Sequence, residues 1–185
     1  MKIRKEDCAG LIIDFQEKLV PTISGSQDIL RNTDKLIRGL RIFRVPVYFT
    51  QQNTRALGLT LDVLRATMEN FTAVEKMCFS CFEEPQLVQL LIDSNKKYVI
   101  IAGVETHICV LQTTLDLLNN NYIPVIVEDC TGSSREKDRE VAIRRMRKEG
   151  AILSTSESIL YELCSKAGNN DFRELLKLVK EFNNA

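Results

Sequence analysis

Cys8-Ala9-Gly10-Leu11-Ile12-Ile13-Asp14 is a run of six uncharged residues that ends on a carboxylate. A short apolar stretch without polar alternation is the mark of a strand covered on both faces. Comparable runs follow at residues 46–50 (PVYFT), 97–102 (KYVIIA) and 123–128 (IPVIVE), with weaker ones at 73–77 and 151–154. Between them the apolar residues change to helical spacing. Residues 27–45 carry Ile29, Leu30, Ile37, Leu40 and Phe43; residues 86–94 carry Leu87, Leu90 and Leu91; residues 107–120 carry Ile108, Leu111, Leu115 and Leu118. The most charged helix, residues 135–149, turns Ala142, Ile143 and Met146 inward. Capping-box spacing opens one further helix at Ser154 with Glu157 and another at Asp171 with Glu174. Strands alternating with helices predict βαβ units. The expected fold is α/β: a single domain over residues 1–185, three layers, doubly wound, with a mainly parallel six-stranded sheet.

The chain has 185 residues, with 25 Lys and Arg against 25 Asp and Glu. That length suits one domain able to bury roughly 70% of the surface its unfolded form exposes. A net charge of zero speaks against a protein whose main work is neutralising phosphates or anionic lipid. No run approaches the roughly 18 apolar residues of a membrane span. In residues 1–20 the only apolar run is Ala9 to Ile13, so no secretory signal is visible and a cytoplasmic protein is expected. Six cysteines would suggest disulfides in a small secreted chain, and here they read as free thiols, most of them packing residues. The one histidine, His107, excludes two-histidine acid–base catalysis and any multi-histidine metal site.

In a doubly wound sheet ligands bind beyond the carboxyl ends of the strands. The first strand delivers Asp14, Phe15 and Gln16 to that end, and the second delivers Gln51, Gln52 and Asn53. The third strong run leads through Gly103-Val104-Glu105-Thr106-His107-Ile108-Cys109 into a helix, and the fourth ends in Glu128-Asp129-Cys130-Thr131-Gly132-Ser133-Ser134. With Thr106 as N-cap, Cys109 becomes the third helical residue, where free amides and the positive end of the dipole favour a thiolate and can hold an oxyanion. Its alternative is a core residue beside Ile108 and Val110. A carboxylate such as Asp14 close to the core needs a partner or a function. Lys76, among largely apolar neighbours, would be that partner if it faces the cleft rather than the surface.

These residues carry a resemblance. Asp14 with Gln16, Lys76 with Phe79 and Ser80, and GVETHICV at residues 103–110 resemble the isochorismatase-like cysteine hydrolases, a superfamily that includes nicotinamidases and carbamoylsarcosine amidohydrolases. The similarity extends to Thr131-Gly132-Ser133-Ser134, to Met146 with Gly150-Ala151, and to Ser154 through Ser158. Gln51, Gly58-Leu59-Thr60 and KMCFSCF at residues 76–82 look closest to the isochorismatase domain-containing subfamily. The resemblance implies a triad in which Asp14 moves the thiol proton, Lys76 holds Asp14, and Cys109 attacks an sp² carbon to form a thioester. By the same analogy the Val104-Glu105 peptide is cis and aims the backbone N–H groups of Glu105 and Cys109 at the oxyanion. Phe15, Gln16, Gln51, Val104, Glu105 and Phe79 are the expected oxyanion and substrate-binding positions, with Leu57 and Leu59 beside them. Nicotinamidases carry a metal-binding Asp-x-His and a further His after the second strand, and residues 51–69 here contain no His. Neither metal nor cofactor is therefore expected. True isochorismatases generally lack the cysteine, so Cys109 points to a C–N bond in a small amide-like or carbamoyl-like substrate.

Other signals have blander explanations. Cys78-Phe79-Ser80-Cys81 has redox spacing but follows Lys76 rather than opening a helix after a strand. His107 reads as a helix-cap or surface residue, with substrate contact as the alternative. Arg144-Arg145-Met146-Arg147-Lys148 is the one basic cluster, and the acidic residues around it suit a solvated helix face better than an RNA-binding or RNA-processing surface. Phe172, Leu175, Leu176, Val179 and Phe182 form an apolar helix face that either covers its own domain or meets another subunit. A homo-oligomer is expected, and an oligomeric scaffold with an idle triad stands as a third reading.

Overall fold

A computed structural model describes residues 2–183, the side chain of Asn183 excepted. Six parallel strands form one sheet: β1 (Cys8–Ile13), β2 (Val47–Gln52), β3 (Val74–Lys76), β4 (Tyr98–Val104), β5 (Ile123–Gly132) and β6 (Ile152–Ser154), in the order β3-β2-β1-β4-β5-β6. The helices are α1 (Ser26–Ile42), the short α2 (Thr54–Leu57) and α3 (Asp62–Arg65), α4 (Pro85–Ser94), α5 (Leu111–Asn119), α6 (Glu136–Glu149), α7 (Ser156–Cys164) and α8 (Asn170–Asn183). The expected α/β, doubly wound, six-stranded arrangement is therefore the one observed. Strand order reverses direction between β1 and β4, which makes the carboxyl ends of those two strands the switch point where such folds bind ligands.

Alternation along β1 divides the two cores. Cys8 and Ile12 join Leu36, Ile37 and Leu40 of α1 and Ile159, Leu160 and Leu163 of α7. On the other face Ala9, Leu11 and Ile13 meet Leu87 and Leu91 of α4, Val110, Leu117 of α5, and Ile143 and Met146 of α6. Each face is closed by helices, which is why β1 and β4 show no polar alternation: both are buried along their whole length. In α8, Leu175, Leu178 and Val179 are buried and Phe172 packs against the α1 side of the sheet, so this helix covers its own domain. Among the described residues no helix is long and apolar enough to cross a membrane.

Several boundaries differ from the expected ones. α1 stops at Ile42 rather than running to residue 45, because Arg44 takes a left-handed conformation (φ 58°). α7 is capped by Thr155, whose hydroxyl accepts from Ser158 N, and not by Ser154, which belongs to β6. α8 likewise has Asn169 in place of Asp171 as the side chain that accepts at its first turn, from Phe172 N at 2.8 Å. β5 continues four residues past Glu128, with a register irregularity against β4 between Ile101 and Gly103.

Candidate active site

Three strands deliver the site. β1 runs out at Ile13, and Asp14 follows in a left-handed conformation (φ 56°) that bends the chain sharply, its side chain fully buried. β3 pairs with β2 so that Lys76 lies opposite Gln52, which brings the ammonium across the sheet end toward Asp14. β4 approaches β1 closely at Gly103, where a Cβ would stand 2.6 Å from the Cβ of Ile13; only glycine permits that spacing. Beyond β4 the chain passes through a cis Val104-Glu105 peptide into a π-helical turn, Thr106–Val110, and then into α5.

Asp14, Lys76 and Cys109 converge. Lys76 Nζ donates to Asp14 Oδ2 at 2.7 Å, and both side chains are wholly inaccessible to solvent. Thr50 Oγ1 donates to the other carboxylate oxygen at 2.8 Å. The Lys76 ammonium also reaches Gln52 Oε1 at 2.7 Å, the carbonyls of Cys78 and Phe79 at 3.2 and 3.3 Å, and Cys109 Sγ at 3.7 Å. Burial works against charge on Lys76, yet the negative partners, with Asp14 the closest, outweigh it and hold the ammonium's pKa above its ordinary value. A lysine so held acts as a fixed cation.

Two expectations about Cys109 need correction. Thr106 is not the N-cap: Glu105 occupies that position without a side-chain capping bond, Thr106 is the first residue of the π turn, and Cys109 is its fourth. The hydroxyl of Thr106 is buried and has no hydrogen-bond partner among the described residues. Nor is Cys109 a low-pKa thiolate. Burial pushes the thiol well above its ordinary value, the charge of the nearby Asp14 carboxylate pushes the same way, and Lys76 only partly opposes them. This environment favours the thiol over the thiolate.

The other expected positions separate into pocket and frame. A pocket of about 100 Å³ opens above Cys109 and Asp14, walled by Leu19, Leu57, Phe79 and Ile108, with Gln52 and Glu105 completing it. Phe15 and Val104 are buried in the core cluster on the α1 side. Gln16 spends its carboxamide on backbone: Nε2 donates to the carbonyls of Gln52 and Gly58 at 3.0 and 2.7 Å, and Oε1 accepts from Gln52 N at 2.7 Å. Gln51 is nearly buried and donates to Thr60 Oγ1 at 2.8 Å. Leu59 is exposed and outside the pocket wall.

Residue reading alone did not single out Thr50, Leu19 or Ile108, and it brought Gln52 to the strand end without giving it a place in the site. Gln52 stood beside Gln51 at a strand end, and that position was its one available signal. His107 lies next to the site, its Nδ1 2.9 Å from Ser133 Oγ, while Glu105 Oε2 accepts from Ser134 N at 2.7 Å; together they tie the π turn to the end of β5. Cys78 and Cys81 are free thiols, and burial pushes Cys81 up to about 12, which suits packing rather than thiol exchange. The basic cluster lies on the outer face of α6, where Arg144 approaches Glu140 at 3.9 Å while Ala142, Ile143 and Met146 face the core.

A doubly wound α/β domain with a buried Asp–Lys pair and a cysteine at its switch point defines a class of protein with a cysteine-centred site at the sheet end. Residues 8–158 match the isochorismatase domain, and the chain belongs to the isochorismatase family. Human isochorismatase domain-containing protein 2 is 37% identical over 172 residues, covering 92% of this chain and 82% of that protein. The structure of a Caenorhabditis elegans protein described as MAR1 ribonuclease superposes with a TM-score of 0.92 at 32% identity, over 97% of this chain and 93% of that one. The Escherichia coli YcaC gene product, described as an octameric hydrolase of unknown specificity, has the same fold with a TM-score of 0.92 at 24% identity, over 100% and 94% of the two chains. Family membership makes this chain an isochorismatase-family hydrolase.

Proposed function

We propose that the chain hydrolyses a C–N bond in a small amide-like or carbamoyl-like compound, through a thioester on Cys109 and without a metal. The observation that carries this is the anchoring of Asp14: both of its oxygens are held, at 2.7 and 2.8 Å, in a solvent-free position, and the same Lys76 ammonium reaches Cys109 Sγ at 3.7 Å at the pocket that Asp14 and Cys109 both line. A fixed carboxylate can take the thiol proton only as the sulfur commits to attack, so no free thiolate is needed. The Sγ–C bond forms as the carbonyl π pair moves onto oxygen, which the N–H groups of Glu105 and Cys109 stabilise. Asp14 then returns the proton to the leaving nitrogen. In the second half a water gives its proton to Asp14, attacks the thioester carbon, and the proton returns to sulfur as the acid leaves. Lys76 keeps Asp14 oriented throughout. Metal independence rests on the absence of histidine from residues 51–69.

A ribonuclease reading draws on the name of the Caenorhabditis elegans neighbour. It fits the site less well, since the charged side chains lining the pocket are Asp14 and Glu105, which repel phosphate. An assembly of several copies in the cytoplasm is the companion proposal, drawing on the octameric YcaC neighbour. The test is turnover across a panel of small amides and carbamoyl compounds by wild type and Cys109→Ala. Activity that needs Cys109 and survives chelators supports the reading; equal activity in Cys109→Ala, or salt-sensitive cleavage of RNA that is lost with Arg144→Ala/Arg145→Ala, overturns it.

A further inference from the structure

We propose, resting on the Cys109 hydrolase reading above, that Gln52 is a positioning residue: its carboxamide ties the Lys76 ammonium to the loop that carries the Phe79 wall, and so sets how a group attached to Cys109 packs in the pocket. An ammonium has three protons to give. Lys76 Nζ makes two short contacts, to Asp14 Oδ2 and to Gln52 Oε1, each at 2.7 Å. The third proton is left to weaker acceptors, the carbonyls of Cys78 and Phe79 at 3.2 and 3.3 Å and Cys109 Sγ at 3.7 Å. Gln52 therefore fixes the rotation of the ammonium about its bond to Asp14. Without that oxygen, two protons would face the same weak acceptors and nothing would choose among them.

The other end of the carboxamide holds the loop. Gln52 Nε2 donates to the Met77 carbonyl at 2.8 Å, just upstream of Phe79. Met77 is 70% exposed and Phe79 55%, so side-chain packing does little to keep this loop in place and its hydrogen bonds must do so. Phe79 nevertheless lines the pocket with Asp14, Cys109 and Gln52 itself.

Gln52 is well placed to serve as the tie because its own backbone is clamped. The buried Gln16 accepts from Gln52 N–H at 2.7 Å and donates to the Gln52 carbonyl at 3.0 Å. Its Nε2 also donates to the Gly58 carbonyl at 2.7 Å, next to Leu57, another wall residue. The chemistry of the two contacts requires an amide. Only an oxygen can accept from Lys76 and only an N–H can donate to Met77. Glutamate could do the first and would set a second oxygen against the Met77 carbonyl; methionine, of similar length, could do neither.

The test compares kcat/KM for acetamide and butyramide in wild type, Gln52→Glu and Gln52→Met, each with the Cys109→Ala control. Once the loop is released, the longer acyl chain should lose contact with the wall. The butyramide-to-acetamide ratio should fall by at least about fourfold in both variants, the value of one buried methylene, whatever their absolute rates. A role in stability alone would lower both substrates by one factor, so a ratio unmoved in both variants overturns this proposal and leaves the hydrolase reading standing. Absence of Cys109-dependent turnover of either amide in wild type overturns the hydrolase reading instead. The tie is then decided by alkylation of Cys109 with iodoacetamide and N-butyl iodoacetamide, followed by intact mass. A fall of about fourfold in the relative rate of the butyl reagent in the variants supports the tie to the wall, and an unchanged relative rate overturns it.

Discussion

Removing the Lys76 ammonium should cost far more than the ion pair contributes. Lys76 Nζ and Asp14 Oδ2 are 2.7 Å apart and neither side chain touches water. At an effective dielectric of about 20, unit charges at that spacing attract by about 6 kcal/mol, and desolvation of both groups offsets much of it. Lys76→Met leaves Asp14 buried with only Thr50 for company, and stranding a charge in that way costs about 3–5 kcal/mol. With a urea slope of about 2 kcal/mol per molar, the midpoint should fall by about 1.5–2.5 M. Asp14→Asn/Lys76→Met removes both charges, so its loss should be smaller than the sum of the two single losses by at least about 1 kcal/mol. Urea unfolding at neutral pH, with Asp14→Asn completing the cycle, measures this directly. Losses that add to within about 0.5 kcal/mol would show that the two groups do not meet as described.

Three further outcomes follow from the packing. Burial raises the pKa of Cys8 and Cys81 to about 12 and that of Cys109 further, so the folded chain keeps protons that the unfolded chain releases near 9. Stability should therefore be full below pH 9 and fall above it by about 1.4 kcal/mol per pH unit for each such thiol, and a urea midpoint flat to pH 10.5 would contradict their burial. Thr50→Val keeps the shape but deprives Asp14 Oδ1 of its donor, which should cost about 1–3 kcal/mol in unfolding free energy and lower turnover; unchanged stability and rate would remove Thr50 from the site. Gly39→Ala would gain about 1 kcal/mol on helix propensity alone, but its Cβ would sit 2.4 Å from Leu160 Cδ2, so thermal unfolding should show a net loss of about 1–3 kcal/mol.

The strands were legible because burial on both faces leaves a continuous apolar signal: residues 8–13 were bounded correctly from Cys8 to Ile13. The far end of β5 was not, since Glu128 and Asp129 interrupt the apolar run where the ladder with β4 shifts register. Lys76 stood out as a charge in an apolar context. Thr50 did not, because a threonine in a strand is ordinary for its β-branched shape, and only the fold shows its hydroxyl meeting Asp14. The π turn was invisible for a related reason: Thr106 through Val110 has the composition of a helix start, and whether its bonds close over four or five residues depends on contacts with β4 and α6. The ionisation of Cys109 was read in the wrong direction because a helix terminus is a local feature, whereas burial and the charge of Asp14 come from residues far apart in the chain.

The central claim is that Cys109 becomes acylated while Asp14 serves as its base. Intact-mass measurement during turnover of a small amide, quenched in acid, tests it directly. The account predicts an acyl mass increment on wild type, localised to Cys109, absent from Cys109→Ala and sharply reduced in Asp14→Asn. Turnover without any adduct, or an adduct that forms as fast in Asp14→Asn as in wild type, would contradict it.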